Sequence, residues 1–468
     1  MMKITLCQPA LAINVAAVAV ALALTACGGG GSSSNSPSGY PQLPASCEAT
    51  GQRAWLRDYM NYQYFWYDRQ GAANDAATSM AGYFDSLLFK PTDRYSFTES
   101  TAQFIQFFTE GRRTGYGYSL AFADATQTVL MVRTVEPLSP VGTAGLLRGE
   151  TIVSIDGFTP LQIVSGSLSF VSTVGVARNF VVRNTLGVQR SFTVASADYV
   201  LSPVLASKVL TAPNNNKVGY LAYQEFISSS NTALGTAIDS FRTAGVTDVV
   251  LDLRYNGGGA TSVARNLASM LGGSALAGKV FAEYRYSNKN AANNFSQTFL
   301  SSTVSLPAAP LENLSRVFII TAAGTASASE LVLNSLKPFK NVVTIGSTSF
   351  GKPYAFVPRE ACGTTYSAVN IEIVNASGVT VPTTGVPATC SVSDDLTRQL
   401  GDPAELRTAA ALSYISTGVC PPVAIVLPDK AATSKVDIAQ AATKYIANAQ
   451  PLGEDGKPLP APRGVLVD

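Results

Sequence analysis

An alternation of strand-like and helix-like segments between residues 218 and 346 constrains the fold more than any other feature of the sequence. Apolar, β-prone runs at 218–223, 248–253 and 316–321 are each followed by a segment with helical spacing. The run at 248–253 is almost continuously apolar, which is typical of a strand that is buried on both faces. The sequence therefore predicts an α/β core in which helices cover the sheet.

Changes in composition divide the rest of the chain into further units. The predicted segments are an export signal at 1–26, a flexible tether at 27–46, an N-terminal helical domain at 47–111, a β-domain at 112–200, the α/β core at 201–400 and a C-terminal helical extension at 401–468. In the extension we expect helices that begin at Asp402 and near Ile438. The predicted class is a multidomain chain that combines α+β and α/β parts.

The N-terminus has the features of an export signal. A short basic start precedes an apolar stretch at 11–24, which is too short for a typical membrane span of about 20 residues. The sequence Leu-Thr-Ala-Cys that ends at Cys27 resembles the lipobox of bacterial lipoproteins, and this resemblance implies that Cys27 carries a lipid. Gly28 is not the aspartate that favours inner-membrane retention in that class, so we expect an outer-membrane anchor with the folded part in the periplasm or at the cell surface. An ordinary secretory signal is the alternative.

Four cysteines remain after Cys7 and Cys27 are set aside. An even number in an exported protein predicts disulfide bonds, and four cysteines allow three pairings. The most local pairing, Cys362 with Cys390, is the candidate, and free buried thiols are the alternative. The chain has no histidine and no Cys-x-x-Cys pair, so we expect no metal site.

The charge pattern argues against nucleic acid as a partner. Charged residues make up 14% of the chain and the net charge is +2. No cluster of lysine and arginine stands out, whereas nucleic-acid-binding domains carry basic patches.

Ser327 and Lys352 are the strongest candidates for catalysis. Because the chain has no histidine, a serine hydrolase of this sequence cannot use an imidazole base, and lysine is a known replacement. Ser327 opens the run Ser-Ala-Ser-Glu, and Lys352 closes the run Ser-Phe-Gly-Lys. Ser329 is the alternative nucleophile. Both serines could instead cap a helix, since Glu330 stands three residues after Ser327 as in a capping box.

A lysine base has to be neutral, although a free lysine has a pKa of about 10.4. Burial lowers this pKa, because desolvation disfavours the charged form. Phe350, Tyr354 and Phe356 flank Lys352 in the sequence and could supply an apolar environment.

The β-domain resembles a PDZ domain. The resemblance rests on the Gly-Tyr-Ser-Leu loop at 117–120, the small-residue helix leading to Gly145-Leu146, and the run Ile-Val-Ser-Ile-Asp-Gly at 152–157. It implies that backbone N–H groups of Gly117, Tyr118, Ser119 and Leu120 bind the C-terminal carboxylate of a peptide, which then pairs with the adjacent strand edge. A small β-domain that only packs against the core is the alternative.

Taken together, the motifs between residues 112 and 390 resemble those of the C-terminal processing (tail-specific) serine peptidases. The resemblance implies a ClpP/crotonase-like core, Ser327 as nucleophile and Lys352 as base. It also implies an oxyanion hole made by the amides of Gly258, in the run Asn-Gly-Gly-Gly, and Ala328. The implied substrates are peptides or unfolded proteins, and no metal or organic cofactor is required.

The sequence departs from that family at two positions beside the lysine. Phe356 stands where a glutamine often helps to hold the lysine, and Pro353 follows the lysine where glycine is usual. A peptide-binding envelope lipoprotein with little or no activity is therefore an alternative. A hydrolase of esters or glycans is a weaker one, because nothing in the sequence indicates a sugar site.

Overall fold

The computed structural model describes residues 41–422 apart from 124–126, 171–172 and 302–305, together with residues 457, 465 and 466. It has a mixed α/β fold with an N-terminal helical region, as predicted. Within these residues no helix is both long and apolar enough to cross a membrane. The export signal, Cys27 and the helix predicted near Ile438 lie outside the described residues.

The N-terminal region packs an aromatic cluster between its first helices. Its elements are α1 (Ala49–Gln63), α2 (Met80–Leu87), β1 (Phe97–Ser100), α3 (Thr101–Phe104) and β2 (Arg112–Gly115). Trp55 and Tyr59 are buried on α1, and Trp66 is buried beyond the end of that helix, so these aromatic residues form part of a core. Helix α2 begins at Met80 because Ser79 caps it, accepting a hydrogen bond from the N–H of Gly82.

The β-domain is an antiparallel sheet. Its elements are β3 (Tyr118–Phe122), β4 (Leu130–Val135), α4 (Pro140–Thr143), β5 (Thr151–Ile155), α5 (Pro160–Val164), β6 (Ala177–Arg183) and β7 (Gln189–Ala195), and β8 (Ala197–Val200) leaves it to pair with β2. The strand order is β3-β4-β5-β6-β7, so β3 lies at one edge of the sheet.

The core is built on a six-stranded sheet. Its elements in chain order are β9 (Val204–Thr211), β10 (Lys217–Tyr223), α6 (Asn231–Ala244), β11 (Asp248–Asp252), α7 (Thr261–Gly272), β12 (Val280–Tyr286), β13 (Phe295–Thr298), β14 (Arg316–Thr321), α8 (Ala328–Leu336), β15 (Asn341–Gly346), β16 (Tyr354–Phe356), β17 (Arg359–Ala361), β18 (Thr364–Ser367), β19 (Val369–Val374), β20 (Cys390–Ser391), α9 (Leu406–Thr417) and β21 (Val465–Leu466).

The strand order of this sheet is β20-β15-β14-β11-β10-β9, and every pair is parallel except β10 with β9. Helices α6, α7 and α8 pack on one face and α9 packs on the other. The predicted sheet with two covered faces is therefore confirmed.

A second sheet joins the core to the aromatic cluster. It has the order β13-β12-β19-β16-β21, and a separate three-stranded sheet has the order β1-β18-β17. Tyr354 and Phe356 on β16 and Tyr366 on β18 are buried in the same cluster as Trp55 and Tyr59. The N-terminal helices thus pack directly against the strand that follows Lys352.

The last described helix begins three residues later than the sequence predicts, since we expected Asp402 to cap it. Glu405 occupies the N-cap of α9 and its carboxylate accepts from the N–H of Thr408. Asp402 instead accepts from the N–H of Ala404 in the preceding turn. The prediction of Asp402 as the cap is wrong because Glu405 is also ion-paired to the buried Arg254, which fixes it at the helix start.

The predicted disulfide between Cys362 and Cys390 is also wrong. The bonds are Cys47–Cys362 and Cys390–Cys420. Cys362 lies in the turn between β17 and β18, next to β1, whereas Cys390 lies on β20 in the six-stranded sheet. The two cysteines are close in sequence but belong to different sheets, so the most local pairing does not form.

Replacing Cys420 by serine is expected to lower the free energy of unfolding by about 3–4 kcal/mol, since the native bond closes a 30-residue interval and restricts the unfolded chain. Urea unfolding under non-reducing conditions measures the loss. With a reducing agent present, the free energy of unfolding of the wild type should fall to that of the variant or below it. Equal stability of the two proteins without reductant would count against a structural role for this bond.

Candidate active site

Ser327 occupies a strained turn at the start of α8. Its backbone has φ 63° and ψ −114°, in a region that residues other than glycine rarely adopt. The side chain is buried, and its Oγ has no hydrogen-bond partner among the described residues. A strained turn between a strand and a helix is a known way to present a nucleophilic hydroxyl. Ser327 occupies the N-cap position of α8 in a capping-box arrangement with Glu330, but its hydroxyl makes no hydrogen bond within normal geometry among the described residues and so remains available.

Ser329 has a different environment. Its Oγ donates a 3.0 Å hydrogen bond to the backbone oxygen of Asn256, and the residue is fully buried. This bond ties the start of α8 to the turn after β11. The geometry thus favours Ser327 over Ser329 as the reactive serine, in agreement with the sequence-based preference.

Glu330 connects the segment of Ser327 to the segment of Lys352. Its Oε2 accepts hydrogen bonds from the backbone N–H of Ser327 at 2.9 Å and of Lys352 at 2.8 Å. Its Oε1 accepts from the Oγ of Ser349 at 2.5 Å and from the N–H of Gly351 at 2.7 Å. One fully buried carboxylate therefore binds four donors, a role that sequence reasoning, which treated Glu330 only as part of a capping box, missed.

This shared carboxylate sets the separation of the two candidate catalytic residues. Because one oxygen accepts from both amides, the backbone nitrogens of Ser327 and Lys352 lie within about 6 Å of each other. A further bond, from the N–H of Phe350 to the oxygen of Thr325, joins the same two segments. The structure thus brings together the serine and the lysine that the sequence places on separate segments.

Lys352 is buried in an apolar environment. Burial lowers its pKa to about 7; the carboxylates of Asp93 and Glu330 oppose this shift, and Arg94 adds to it. Its Nζ lies 4.2 Å from the ring centroid of Phe356 and 5.8 Å from that of Tyr95. A substantial fraction of this lysine is therefore neutral near pH 7, as a base requires.

Phe356, which stands in place of the family glutamine, packs against the lysine. Its ring is fully buried and meets Phe97 edge to face at 5.6 Å. A cation–π contact is worth at most about 2 kcal/mol and favours the charged amine, whereas burying a charge costs several kcal/mol. Desolvation is the larger effect, so Phe356 contributes mainly by excluding water from the amine.

The candidate oxyanion donors, Gly258 and Ala328, lie beside Ser327. A Cβ added to Gly258 would lie 2.8 Å from the Cβ of Ser327 and 3.1 Å from the nitrogen of Ala328. Ala328 is the first residue of α8, so its N–H has no acceptor within the helix. Only glycine allows the turn after β11 to approach the serine this closely.

The amide of Gly258 is engaged in this structure. It donates a 2.9 Å hydrogen bond to the Oδ1 of Asn256, while the Nδ2 of Asn256 donates to the oxygen of Tyr223. Asn256 therefore fixes the orientation of the Gly258 peptide. A substrate oxyanion would bind first to the amide of Ala328 and would compete with Asn256 for that of Gly258.

The loop at 117–120 lies at the start of the edge strand β3, where β-strand addition takes place in peptide-binding domains. Gly117 has φ 93°, and its oxygen accepts from the N–H of Glu136. The Oγ of Ser119 contacts Thr134 and accepts from the Nε of Arg133. Tyr118, Ser119 and Leu120 are buried, so a peptide would have to reach this loop through its backbone edge.

No group of three or more acidic or cysteine side chains is arranged to hold a metal ion in the part of the chain that the structure describes. The groups that gather around Ser327 are a lysine, backbone amides and one buried carboxylate.

A strained, buried serine close to a buried lysine is the arrangement expected of a serine hydrolase. Comparison with known sequences indicates which family of hydrolases the chain resembles. Residues 217–384 match the model of peptidase family S41, and residues 51–97 match that of the S41 peptidase N-terminal domain. The chain therefore contains an S41 peptidase domain and the N-terminal domain that accompanies it, which confirms the resemblance to the C-terminal processing peptidases seen in its motifs.

Several known proteins are similar to this chain. The chain is 26% identical over 254 residues to carboxyl-terminal-processing peptidase 2, chloroplastic, of Arabidopsis thaliana, a match that covers 52% of this chain and 46% of the relative. It is 24% identical over 309 residues to the carboxyl-terminal-processing protease of Picosynechococcus sp., covering 64% and 70%. The chain thus spans about half the length of the Arabidopsis relative.

A solved structure from Bacteroides fragilis, assigned to the S41 proteases, is similar to this fold. It is 27% identical, with a TM-score of 0.64, and the match covers 78% of this chain and 97% of that one. The similarity therefore extends beyond the core to most of the described residues.

Proposed function

We propose that this protein is a serine-type endopeptidase that hydrolyses peptide bonds with Ser327 as nucleophile and Lys352 as base. The observation that carries the proposal is the carboxylate of Glu330, which binds the amides of both residues while Lys352 is buried with its pKa lowered to about 7. The buried lysine also argues against the inactive binding protein considered above, since the environment that a base needs is present despite Phe356.

In the proposed reaction, the neutral amine of Lys352 takes the proton of the Ser327 hydroxyl as Oγ attacks the scissile carbonyl carbon. The N–H of Ala328, and that of Gly258 once it leaves Asn256, stabilise the oxyanion. Lys352 then donates its proton to the leaving amine and an acyl-enzyme remains. Water attacks the ester with Lys352 again as base, which releases a carboxylate product and restores Ser327.

The proposed substrates are peptides or unfolded proteins that bind through a C-terminal segment. Support comes from the five-stranded β-domain, whose strand β3 lies at the sheet edge next to the loop at 117–120. The names of the Arabidopsis and Picosynechococcus relatives also describe carboxyl-terminal processing. In this proposal the β-domain acts as a PDZ-like module and the core as a ClpP/crotonase-like peptidase.

The proposed location is the bacterial cell envelope, with the protein anchored through a lipid on Cys27, most simply in the outer membrane. Support comes from the two disulfide bonds, because such bonds persist in oxidising compartments outside the cytosol.

Casein cleavage tests the proposed activity. Wild-type protein is expected to degrade casein, and Ser327→Ala to reduce cleavage to background. Ser335→Ala is the matched control, since it removes another buried hydroxyl of the same segment that has no hydrogen-bond partner. Persistent cleavage by Ser327→Ala would contradict the mechanism. A wild type that neither cleaves casein nor reacts with a serine-directed fluorophosphonate would contradict the function.

A further inference from the structure

A cavity of about 80 Å³ lies at the carboxyl ends of the parallel strands, apart from the Ser327 hydroxyl. Its walls include residues that lie within three positions of the ends of these strands: Tyr255 after β11, Ala322 after β14 and Ser347 after β15. Strands β3 and β4 of the β-domain contribute Ala121 and Arg133. In open α/β sheets, ligands bind in the crevice at this end of the strands.

Arg407 lines the cavity and has an unmet hydrogen-bonding capacity. It is almost fully buried on the first turn of α9, and its Nε donates to the oxygen of Val392. Its Nη1 is buried without a hydrogen-bond partner among the described residues. Gly346 makes room for the group, since a Cβ there would lie 3.2 Å from the Nε of Arg407. An unpaired buried guanidinium nitrogen is costly unless a ligand satisfies it.

Arg133 is a second cation of the same cavity. Its guanidinium lies 4.5 Å from the ring centroid of Tyr255, and its Nε donates to the Oγ of Ser119. Burial lowers its pKa to about 10, so it stays charged at neutral pH. Across the described part of the chain, no carboxylate lies within ion-pair distance of Arg133 or Arg407.

The carboxylate that lines the cavity together with both arginines is already hydrogen-bonded to other groups. Asp394 lines the cavity, but its Oδ1 accepts from Arg148 at 3.1 Å and from Arg254 at 2.8 Å, and its Oδ2 accepts from the hydroxyl of Tyr255. Burial would raise its pKa, yet Arg407, Arg148 and Arg254 hold the pKa of Asp394 well below its usual range. Asp394 therefore remains an anion that these arginines share.

Positive charge is in excess among the residues that line the cavity. They include Arg133, Arg254 and Arg407 but only one carboxylate, that of Asp394. Further out, Arg254 also pairs with Asp252 and Glu405, and Arg398 pairs with Asp395 and Asp402. These outer carboxylates form no ion pair with Arg133 or Arg407, and burying a charge without a partner is costly.

We propose that this cavity binds one small oxyanion, a carboxylate group or an inorganic oxyanion of similar size, between the guanidinium groups of Arg133 and Arg407. The volume suits such a ligand, because about 10–15 Å³ of cavity volume already holds one water molecule, and this cavity offers several times as much. Arginine is the side chain best matched to carboxylate and phosphate oxygens, to which it donates two parallel hydrogen bonds.

The proposed anion site lies between the β-domain and the turns that lead to the candidate active site. Tyr255 is directly followed by the turn that carries Gly258, and the loop from Ala322 to Gly324 leads to Ser327. Arg133 belongs to the β-domain and Arg407 to the core. A bound oxyanion would therefore hold the β-domain against the two turns that form the candidate active site.

Isothermal titration calorimetry of the purified protein tests the site, with acetate and inorganic phosphate titrated separately at constant ionic strength in chloride. At least one anion is expected to give saturable heat. Arg407→Met or Arg133→Met should raise its dissociation constant at least tenfold. Arg242→Met is the matched control, since it removes an exposed arginine of α6, and it should change the constant less than twofold.

The outcomes separate the possible ligands. Binding of acetate alone indicates a carboxylate site, binding of phosphate alone a phosphate site, and binding of both a general oxyanion site. If Arg407→Met does not fold, the dissociation constant measured for Arg133→Met decides whether the proposal holds. The proposal is overturned if neither anion gives saturable heat, or if both methionine variants bind as the wild type does. Because binding is measured, the result does not depend on whether the protein cleaves casein.

Discussion

Lys352→Met is expected to abolish casein cleavage and, at pH 7, to raise the free energy of unfolding by about 2–4 kcal/mol. In the folded protein the pKa of Lys352 is about 7 rather than 10.5, because the amine is buried beside Phe356 and Tyr95. Methionine fills a similar volume and carries no charge to desolvate. Loss of activity together with a gain in stability is the combination that a buried base predicts.

The pH dependence of the stability gained in Lys352→Met follows from the lowered pKa of Lys352 in the folded protein. Between pH 7 and 10.5 the unfolded chain binds the lysine proton and the folded protein does not, so the stability of the wild type rises with pH in this window. The advantage of Lys352→Met should therefore be largest at pH 7 and below and should shrink toward pH 10. Cleavage by the wild type should rise with pH through about 7, as the amine loses its proton.

Urea unfolding of both proteins at pH 7 and pH 9.5, with casein cleavage at each pH, measures these effects. Lys337→Met is the matched control, since Lys337 is an exposed lysine at the end of α8 and should change stability by less than about 0.5 kcal/mol. A Lys352→Met protein that still cleaves casein, or that is less stable than the wild type at pH 7, would exclude Lys352 as the buried base.

Glu330→Gln is expected to lower cleavage at least 100-fold and the free energy of unfolding by about 2–4 kcal/mol. The carboxylate accepts from four donors, and the amide would replace one acceptor oxygen by a donor. In one orientation, the NH2 group of the glutamine would face the backbone N–H groups of Ser327 and Lys352. In the other, it would face the hydroxyl of Ser349 and the N–H of Gly351. Both orientations therefore place a donor against two donors. Glu330 is a positioning residue, so its loss should misplace the nucleophile relative to the base.

The rate at which a fluorophosphonate labels Ser327, measured across pH on folded protein, separates positioning from stability. The negative charge of Glu330 raises the pKa of Lys352, so the inflection of the labelling rate should move to lower pH in Glu330→Gln. Glu372→Gln, a half-buried change on β19, is the control and should leave the rate unchanged. If the fluorophosphonate labels folded Glu330→Gln at the wild-type rate at every pH, the carboxylate of Glu330 has only a structural role.

The parts of the fold that the sequence predicts are those encoded locally. The run at 248–253 predicts a strand covered on both faces, and α9 on one side with α6 to α8 on the other confirm it. Ser327 and Lys352 were found because each lies in a short motif with a distinct chemical requirement. The absence of histidine left lysine as the available base.

The features that the sequence did not predict depend on tertiary contacts. The four donors of Glu330 include Ser349, Gly351 and Lys352, which reach it only after β15 has been added to the sheet. The capping pattern accounts for Glu330 as part of a helix start, so nothing in the sequence indicates that its carboxylate also binds the segment of Lys352. The pairing of Cys47 with Cys362 requires that the hairpin of β17 and β18 reach back to the first helix, which no local signal indicates.

The bond between Cys47 and Cys362 makes a closed covalent ring of everything between them. Ser327, Lys352 and the whole β-domain lie inside this ring. A single break in the backbone anywhere between the two cysteines opens the ring but releases no fragment, so Ser327 and Lys352 stay on one connected molecule. The same disulfide that holds the N-terminal helix in place would thus keep a chain with one broken peptide bond in one piece.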